Sequence, residues 1–177
     1  MKKVLLGVLF CLLLFPNEIK AEEPTTDEIP EYIRIYCEHI GMEYNICPEL
    51  LEAIAYYESR FTPKAKNGNH YGMMQINIKV HKERLEVHGW TKEDMYSPYR
   101  NLVVAAEYLS ELYENYEENA IVLAMYSGNA KAVKKYEKDG TVCSYAKKVL
   151  KKSYEYEVLH GKHKEEANYV RNHSIKQ

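Results

Sequence analysis

The amino-acid sequence predicts an all-α fold, and three observations support this class. Apolar residues recur at helical spacing over long segments, most clearly in the stretch that follows Ser97. Proline and glycine stand where helices are expected to begin and end, as at Pro48 and Gly89. Alternation of apolar and polar residues never extends beyond a few positions, so almost no segment is typical of a β-strand.

The N-terminal residues predict export. Two lysines precede an apolar run over residues 4–15, which is too short for a transmembrane helix and is typical of a secretory signal. Ala21 offers a cleavage point, so we predict a signal peptide over residues 1–21. An uncleaved anchor is the alternative, because Ile19 fits the cleavage pattern poorly. The expected location is the periplasm, the cell wall or the extracellular space.

The charge balance argues against a nucleic-acid partner. Without residues 1–21 the chain has 21 basic and 25 acidic residues and a net charge of −4, so no positive field attracts phosphates. We predict a flexible lead-in over residues 22–30, one domain over residues 31–160 and a polar tail over residues 161–177. We expect a monomer.

The first half of this domain is predicted to contain two helices and a loop. The first helix is expected over residues 31–40 and to stop at Gly41, and the second has Pro48 in its first turn. Residues 62–72 contain proline, an Asn-Gly pair and a final glycine, which predict an irregular loop.

The second half is predicted to be helical throughout. Residues 73–89 indicate a short helix that ends at a glycine. Ser97 is expected to cap the next helix and Pro98 to occupy its first turn. Two short helices follow, separated at residues 127–129, and residues 141–159 form the last helix.

Three cysteines remain after the signal, and their pairing is left open. A bridge between Cys37 and Cys47 would close a short loop and stabilise the fold by roughly 2–3 kcal/mol. All three thiols, including Cys143, could equally be free, because cysteine is often simply buried.

Glu58 is the first candidate for chemistry. It falls within the apolar face of the second helix, which consists of Leu50, Leu51, Ile54 and Ala55. A carboxyl group removed from water has a raised pKa and can donate a proton near neutral pH. A buried ion pair, a helix that ends earlier, or a side chain that reaches past the core to water would explain the residue without catalysis. Its position at a helix end beside an irregular loop favours an active site.

The segment "YGMMQI" (71–76) carries further candidates. Gly72 allows the backbone to approach a ligand closely, and Gln75 offers both a donor and an acceptor. Since Met73 and Met74 cannot both face one core, one of them is expected to line a groove, and Met74 is the candidate. The alternative is a loop that closes onto the start of a helix.

The segment "AMYSGN" (124–129) places Tyr126 beside a tight turn. Aromatic faces stack on sugar rings, and the hydroxyl group supplies a directional hydrogen bond. Because the chain contains 17 tyrosines, ordinary helix packing is the alternative for this residue.

Taken in order, "ESRF", "GMMQI", "AMYSGN" and "TVCSYAKKVL" resemble the successive motifs of the lytic transglycosylase domain of the soluble (SLT) type. That family is related in fold to goose-type lysozyme. The resemblance covers residues 46–150, and it implies a lysozyme-like all-α fold without a cofactor. It also implies that the partner of the chain is the glycan strand of peptidoglycan.

The resemblance implies a role for each matching residue. Glu58 would be the single acid and base, and Ser59 would steady the site. Gln75 would contact the substrate, and Tyr126 and Tyr145 would line the cleft around the cleaved bond.

One position departs from the family pattern. Ser127 stands where the family usually has asparagine, and Asn129 is a candidate to compensate from further along the chain. Because serine keeps a hydrogen-bonding group, this departure affects substrate affinity or glycan preference more than the type of reaction.

The implied reaction cleaves the bond between N-acetylmuramic acid (MurNAc) and N-acetylglucosamine (GlcNAc) without water, and it leaves a 1,6-anhydro-MurNAc end. Hydrolytic glycosidases generally use two carboxylates. The candidates for a second one lie after "GMMQI", and they are Glu83, Glu86, Glu93 and Asp94. Charges on helix faces are usually just solvated. Goose-type lysozymes suggest that such a loop can supply an auxiliary aspartate, so Asp94 remains a candidate.

Several alternatives stay open. The protein could be a lysozyme-type hydrolase of the same bond or a non-catalytic, glycan-binding helical module. Its activity could serve wall remodelling, or it could open a local gap for a cell-envelope secretion or conjugation machine. His160 and His163 have the spacing of a metal pair, but no further ligands accompany them, so no metal site is predicted. His81 and His88 are interpreted as surface residues.

Overall fold

The computed structural model describes residues 29–162, and in this range the chain forms seven α-helices, a 3-10 helix and three short strands. The helices are α1 (Glu31–Tyr44), α2 (Pro48–Ser59), α3 (Lys82–His88), α4 (Pro98–Asn115), α5 (Asn119–Tyr126), α6 (Ala130–Asp139) and α7 (Ser144–Leu159). The strands are β1 (Lys66–Asn67), β2 (His70–Tyr71) and β3 (Ile76–Asn77), and the 3-10 helix is Glu93–Tyr96. The predicted all-α class is confirmed.

The core forms around α2, which packs against α1 and α7. Every residue of this helix from 49 to 56 is buried. The predicted apolar face is confirmed, because Leu51, Ile54 and Ala55 are fully inaccessible to solvent. Helix α4 packs against α1 and α5, and α5 packs against α7, so that these helices share one hydrophobic core.

Helix α1 is longer than predicted. It continues through Gly41 and ends at Tyr44, where Asn45 adopts a left-handed conformation with φ of 53°. Gly41 lies inside the helix because the following chain approaches it closely. A Cβ atom at this position would lie 2.6 Å from the carbonyl oxygen of Ile46. This glycine therefore serves packing rather than helix termination.

The predicted helix over residues 73–89 is wrong in its first half, because β1, β2 and β3 form a small antiparallel sheet. Lys66 pairs with Tyr71, and Tyr71 pairs with Ile76. Two residues connect β1 to β2, and the first is Gly68 with φ of 58°. Strands of two residues are too short to show alternation, so no sequence pattern indicates them.

From α4 onward the number and order of the helices agree with the prediction, although α7 begins at Ser144 and not at residue 141. Helix α4 begins at Pro98 with Ser97 at its N-cap position, as predicted, but the Ser97 side chain makes no cap hydrogen bond. The break at residues 127–129 is confirmed. Asn129 caps α6, where its side chain accepts a hydrogen bond of 3.2 Å from the backbone N–H of Ala132.

All three cysteines among the described residues are free. The thiol of Cys47 donates to Oε2 of Glu49 at 3.1 Å, which leaves no bridge to Cys37. Between residues 29 and 162, no helix combines the length and the apolar character that spanning a bilayer requires. The predicted signal peptide, most of the lead-in and the tail from residue 163 lie outside the described residues.

Candidate active site

Glu58 lies in the last turn of α2, beside an open groove of about 460 Å³. The helix ends at the next residue, and Arg60 and Phe61 both adopt left-handed backbone conformations with φ of 53° and 57°. This sharp turn directs the chain away from the helix axis. The half-buried Glu58 side chain consequently lines the groove instead of being covered by its own chain.

Tyr145 at the start of α7 contacts this carboxyl group directly. Its hydroxyl group donates a hydrogen bond of 2.6 Å to Oε1 of Glu58. Burial raises the pKa of Glu58, and the hydrogen bond from Tyr145 and the charge of His70 oppose this only in part. Burial and the nearby Glu58 charge also raise the pKa of Tyr145, so Tyr145 remains a donor.

The loop between β2 and β3 is held against α2 and α4 by side chains that bond to its backbone. Ser59 donates from Oγ to the carbonyl oxygen of Met73 at 2.7 Å. Asn101, which is fully buried on α4, accepts from the N–H of Met74 at 2.6 Å and donates to the carbonyl oxygen of Tyr71 at 3.0 Å. These bonds join three segments of the chain next to the groove.

Gly72 is required in this loop by both its conformation and its surroundings. Its φ is 77°, and a Cβ atom would lie 2.0 Å from the carbonyl oxygen of Met95. The predicted close approach at this glycine therefore exists, but the group that approaches is the protein's own backbone.

Tyr126 at the end of α5 also lines the groove. Its hydroxyl group donates to the carbonyl oxygen of Met74 at 3.0 Å. Burial, followed by the charge of Glu58, raises the pKa of Tyr126. Its ring lies 5.8 Å from that of Tyr108. Two tyrosine rings thus form one wall of the groove.

The structure brings five of the seven sequence-predicted site residues to the groove, namely Glu58, Gln75, Tyr126, Ser127 and Tyr145. The amide of Gln75 donates to the carbonyl oxygen of Gly72 at 2.9 Å. The hydroxyl group of Ser127 donates to the carbonyl oxygen of Ala124, also at 2.9 Å. Both side chains are thereby oriented by nearby backbone.

The other two predicted residues, Ser59 and Met74, do not line the groove. The prediction that one methionine would face a groove is wrong, because Met73 and Met74 are both fully buried. Tight turns on either side let the two side chains enter the core from adjacent positions. Asn129 does not compensate for Ser127, because its side chain caps α6.

Nine groove residues were not predicted as site residues, and they include His70, Asn77, His81 and Tyr108. The interpretation of His81 as a surface residue is wrong, since it is only 5% exposed. The signal that pointed to this part of the groove is the Asn-Gly pair at residues 67–68. Such a pair is typical of a tight hairpin turn, and here it lies between β1 and β2. The pairing of β2 with β3 then places His70 opposite Asn77.

Asp94 is placed away from the groove by other partners. Its Oδ2 accepts hydrogen bonds from the backbone N–H of Thr91 at 2.8 Å and from the Thr91 hydroxyl at 2.9 Å, and its Oδ1 pairs with Arg100. These interactions lower the pKa of Asp94. Among the described residues that line the groove, Glu58 is the only one with a carboxyl group.

Within residues 29–162, no group of three or more histidine, cysteine or acidic side chains is arranged to hold a metal ion. His160 instead lies with its Nδ1 atom 3.1 Å from Oε1 of Glu49. His163, the other half of the suggested metal pair, lies outside the described residues.

The fold is helical, and one carboxyl group lies at the end of a core helix beside a groove. These two features are those of the lysozyme-like class of proteins. The family model "Transglycosylase SLT domain" matches residues 36–148, and the chain belongs to this family. Membership was predicted from the motifs and is confirmed.

Two curated relatives are similar to most of the domain. The chain is 35% identical to Protein IpgF of Shigella flexneri over 117 residues, which are 62% of this chain and 76% of that protein. The match to Protein IpgF of Shigella sonnei has the same extent and identity.

The fold is also similar to the X-ray structure of an inactive mutant of the lytic transglycosylase Slt from Pseudomonas aeruginosa. The TM-score is 0.64 and the sequence identity is 19%, over 73% of this chain and 24% of that chain. This chain thus corresponds to about a quarter of that protein, and at this identity the likeness shows the fold alone.

Proposed function

We propose that this protein is a peptidoglycan lytic transglycosylase, which cleaves the MurNAc–GlcNAc bond without water and leaves 1,6-anhydro-MurNAc ends. The observation that carries the proposal is that Glu58 is the only carboxyl group among the described groove residues. Hydrolytic glycosidases generally need two carboxylates on opposite sides of the cleaved bond. A single carboxyl group favours a reaction in which the substrate supplies its own nucleophile.

In this reaction Glu58 acts first as an acid and then as a base. The protonated carboxyl group donates its proton to the glycosidic oxygen as the bond from this oxygen to C1 of MurNAc breaks, and the GlcNAc side leaves as an alcohol. The resulting carboxylate then removes the proton from the 6-hydroxyl group of MurNAc, and O6 bonds to C1. The proton returns to Glu58, and no water is consumed.

The raised pKa of Glu58 suits this double role. An acid that must also act as a base works best when its pKa is near the working pH. Burial supplies the upward shift, and the hydrogen bond from Tyr145 limits it and orients the carboxyl group. Tyr145 is therefore a positioning residue for Glu58.

The remaining groove residues are proposed to bind the glycan strand. The rings of Tyr126 and Tyr108 offer apolar faces on which sugar rings stack. Gln75 and Ser127 add polar groups beside them. Ser59 and Met74 are proposed to act indirectly, by holding the loop in place. The hydroxyl group of Ser59 bonds to the backbone of Met73, and the backbone N–H of Met74 bonds to Asn101.

Export is part of the proposal, since peptidoglycan lies outside the cytoplasmic membrane. The predicted signal peptide at residues 1–21 is the support for it, and we propose that the mature protein acts in the cell envelope as a monomer. Service to a secretion or conjugation machine is one setting in which a local opening of the wall is needed.

The test is incubation of the purified protein with cell-wall sacculi, followed by mass spectrometry of the released muropeptides. We expect 1,6-anhydro ends. Reducing ends would instead identify a lysozyme-type hydrolase, and binding without release would identify a non-catalytic module. Either result would refute the proposed reaction.

Replacement of Glu58 tests its role in the same assay. Glu58→Gln keeps the size of the side chain and removes the transferable proton, so release of anhydro-muropeptides should fall by at least about 100-fold. The matched control is Glu93→Gln, which changes an exposed carboxyl group outside the groove and should leave the rate unchanged. Undiminished release by Glu58→Gln would end the assignment.

A further inference from the structure

The groove contains a second buried titratable side chain that the proposed reaction does not use. His81 immediately precedes α3, is 5% exposed and lines the groove. Its backbone N–H donates to the carbonyl oxygen of Asn77 at 3.0 Å, which ties it to the end of β3. The backbone at His81 is thereby anchored, and its buried side chain forms part of the groove wall.

The two nitrogen atoms of this ring have different surroundings. Nδ1 is inaccessible to solvent and has no hydrogen-bond partner. Nε2, by contrast, is not among the inaccessible atoms that lack a partner. The small accessible part of His81 therefore includes Nε2 and opens into the groove. Since buried N–H groups without an acceptor are rare in proteins, the proton of the neutral ring belongs on Nε2.

The ring carries no charge at neutral pH. Burial, followed by the nearby charge of Arg84, lowers the pKa of His81 to about 4. An uncharged N–H group is a donor for neutral oxygen atoms, such as sugar hydroxyl groups and acetamido carbonyl groups.

Aromatic rings connect His81 to the proposed site of cleavage. Its ring packs edge to face on Tyr108 with 4.7 Å between centroids, and Tyr108 lies 5.8 Å from Tyr126. All three rings line the groove that also contains Glu58. A row of aromatic faces with a polar N–H group at one end matches a saccharide, which has apolar faces and polar edges.

We propose that Nε2–H of His81 is a saccharide-binding donor, which bonds to a hydroxyl or acetamido oxygen of an N-acetylated sugar in the groove. This inference rests on the proposed function only in that the ligand is a glycan. His81 contributes to binding and takes no part in the transfer of the proton.

Nuclear magnetic resonance tests the inference on the full chain. The protein is 15N-labelled, carries Glu58→Gln so that no ligand is consumed, and is titrated with a trimer of N-acetylglucosamine. We expect the His81 ring to have its proton on Nε2 before the titration, and its Nε2 resonance to shift when the trimer is added. The ring of His39, which is exposed on α1, is the internal control and should not respond.

Two substitutions test the same donor by affinity. His81→Phe keeps a ring and removes the donor, so we expect affinity for the trimer to fall roughly 5- to 10-fold, the usual effect of one neutral hydrogen bond. His81→Gln keeps an N–H donor and should lose less. Unfolding curves establish that each variant is folded, and the tautomer of the unsubstituted ring decides the question if His81→Phe does not fold.

The inference would be overturned by a proton on Nδ1, by a His81 ring that does not respond at any trimer concentration, or by unchanged affinity in folded His81→Phe. Its failure is distinct from that of the proposed function. If sacculi release no anhydro ends while His81 responds to the trimer, only the reaction is wrong. If anhydro ends appear while His81 does not respond, only the donor is wrong.

Discussion

The central contact of the candidate site joins Glu58 on α2 to Tyr145 on α7, two residues that are 87 positions apart in the chain. The carboxyl group is half-buried, so its pKa rises, and the phenol of Tyr145 donates a hydrogen bond to it. A site of this kind depends on how two helices pack as much as on either residue.

Tyr145→Phe removes this hydrogen bond and retains the ring. Because the bond favours the ionised carboxyl group, its loss should raise the pKa of Glu58 further and move the alkaline limit of activity to higher pH. The maximal rate should fall roughly 10- to 100-fold, as expected for a hydrogen bond to a charged group. Release of muropeptides measured against pH checks both effects.

Tyr32→Phe is the matched control for this experiment, because Tyr32 is exposed on α1 and does not line the groove. It should leave the pH profile and the rate unchanged. A Tyr145→Phe protein with the normal pH profile would show that the phenol does not influence the ionisation of Glu58.

Individual residues differed in how well their positions were predicted. Glu58 was found because its place on the helical face depends only on sequence spacing, and the helix forms as expected. Met74 and His81 were misplaced because both belong to residues 73–81, which were interpreted as helix. Side-chain direction in a hairpin and its turns follows other rules than in a helix, so errors at these two residues have a common cause.

At the scale of elements, the loop between β2 and β3 brings Gln75 to the groove. Asn101 from α4 and Ser59 from α2 hold its backbone, and Gly72 allows it to pass close to Met95. The loop thus has little freedom to move independently of the two helices.

Gly72→Ala tests how strictly this element depends on glycine. The added Cβ atom would lie 2.0 Å from a backbone oxygen, at a φ of 77° that alanine disfavours. We expect a loss of roughly 2–5 kcal/mol in the free energy of unfolding, from the conformation and the collision together. Unfolding by urea, followed by circular dichroism, measures the loss.

Gly68→Ala is the matched control, because Gly68 has a similar φ of 58° but no atom within 4 Å of the position of its Cβ. It carries the conformational cost without the collision, so its loss should be about 1 kcal/mol. Equal losses in the two variants would show that the close approach to Met95 contributes nothing.

The hairpin also shows which secondary-structure elements cannot be predicted from local sequence patterns. Its two-residue strands are stabilised by pairing with each other and by contacts of the following loop, not by local periodicity. Gly41 illustrates the same limit in a helix, because a glycine that ends a helix and a glycine that allows close packing are identical in sequence. In both cases the local structure depends on a contact with a residue that is distant in sequence or lies beyond a turn.

At the scale of the whole molecule, a cluster of acidic side chains lies where α2 and α7 pack together, and it consists of Glu49, Glu52 and Glu157. Hydrogen bonds from Lys162, Cys47 and His160 outweigh burial and lower the pKa of Glu49. Burial, followed by the charge of Glu49, raises the pKa of Glu52 to about 8 and that of Glu157 to about 7. Neither oxygen of Glu52 has a hydrogen-bond partner.

Glu52 should make stability fall as the pH rises. Below its ordinary pKa of 4.5 the group is protonated in both the folded and the unfolded chain. Between pH 4.5 and about 8 the unfolded chain releases the proton while the folded protein keeps it, so unfolding becomes easier. The loss is complete above the folded pKa, and we expect it to be on the order of 5 kcal/mol, because each unit of pKa difference corresponds to about 1.4 kcal/mol.

Glu52→Gln removes this titration and should flatten the decrease of the free energy of unfolding over that pH range, measured by urea unfolding at several pH values. Glu114→Gln, which replaces an exposed carboxyl group on α4, should keep the decrease. An unchanged slope in Glu52→Gln would contradict the raised pKa of this residue.

The sequence by itself determined the helical class, the family and the place of Glu58 near the end of a core helix, because helical periodicity and the order of short motifs are local properties of the chain. Only the tertiary structure decided which side chains meet at the groove. Tyr145, Asn101 and His81 acquire their surroundings from helices and a hairpin that are far apart in sequence. Burial and hydrogen bonding across these elements set the pKa values, and no local pattern records them.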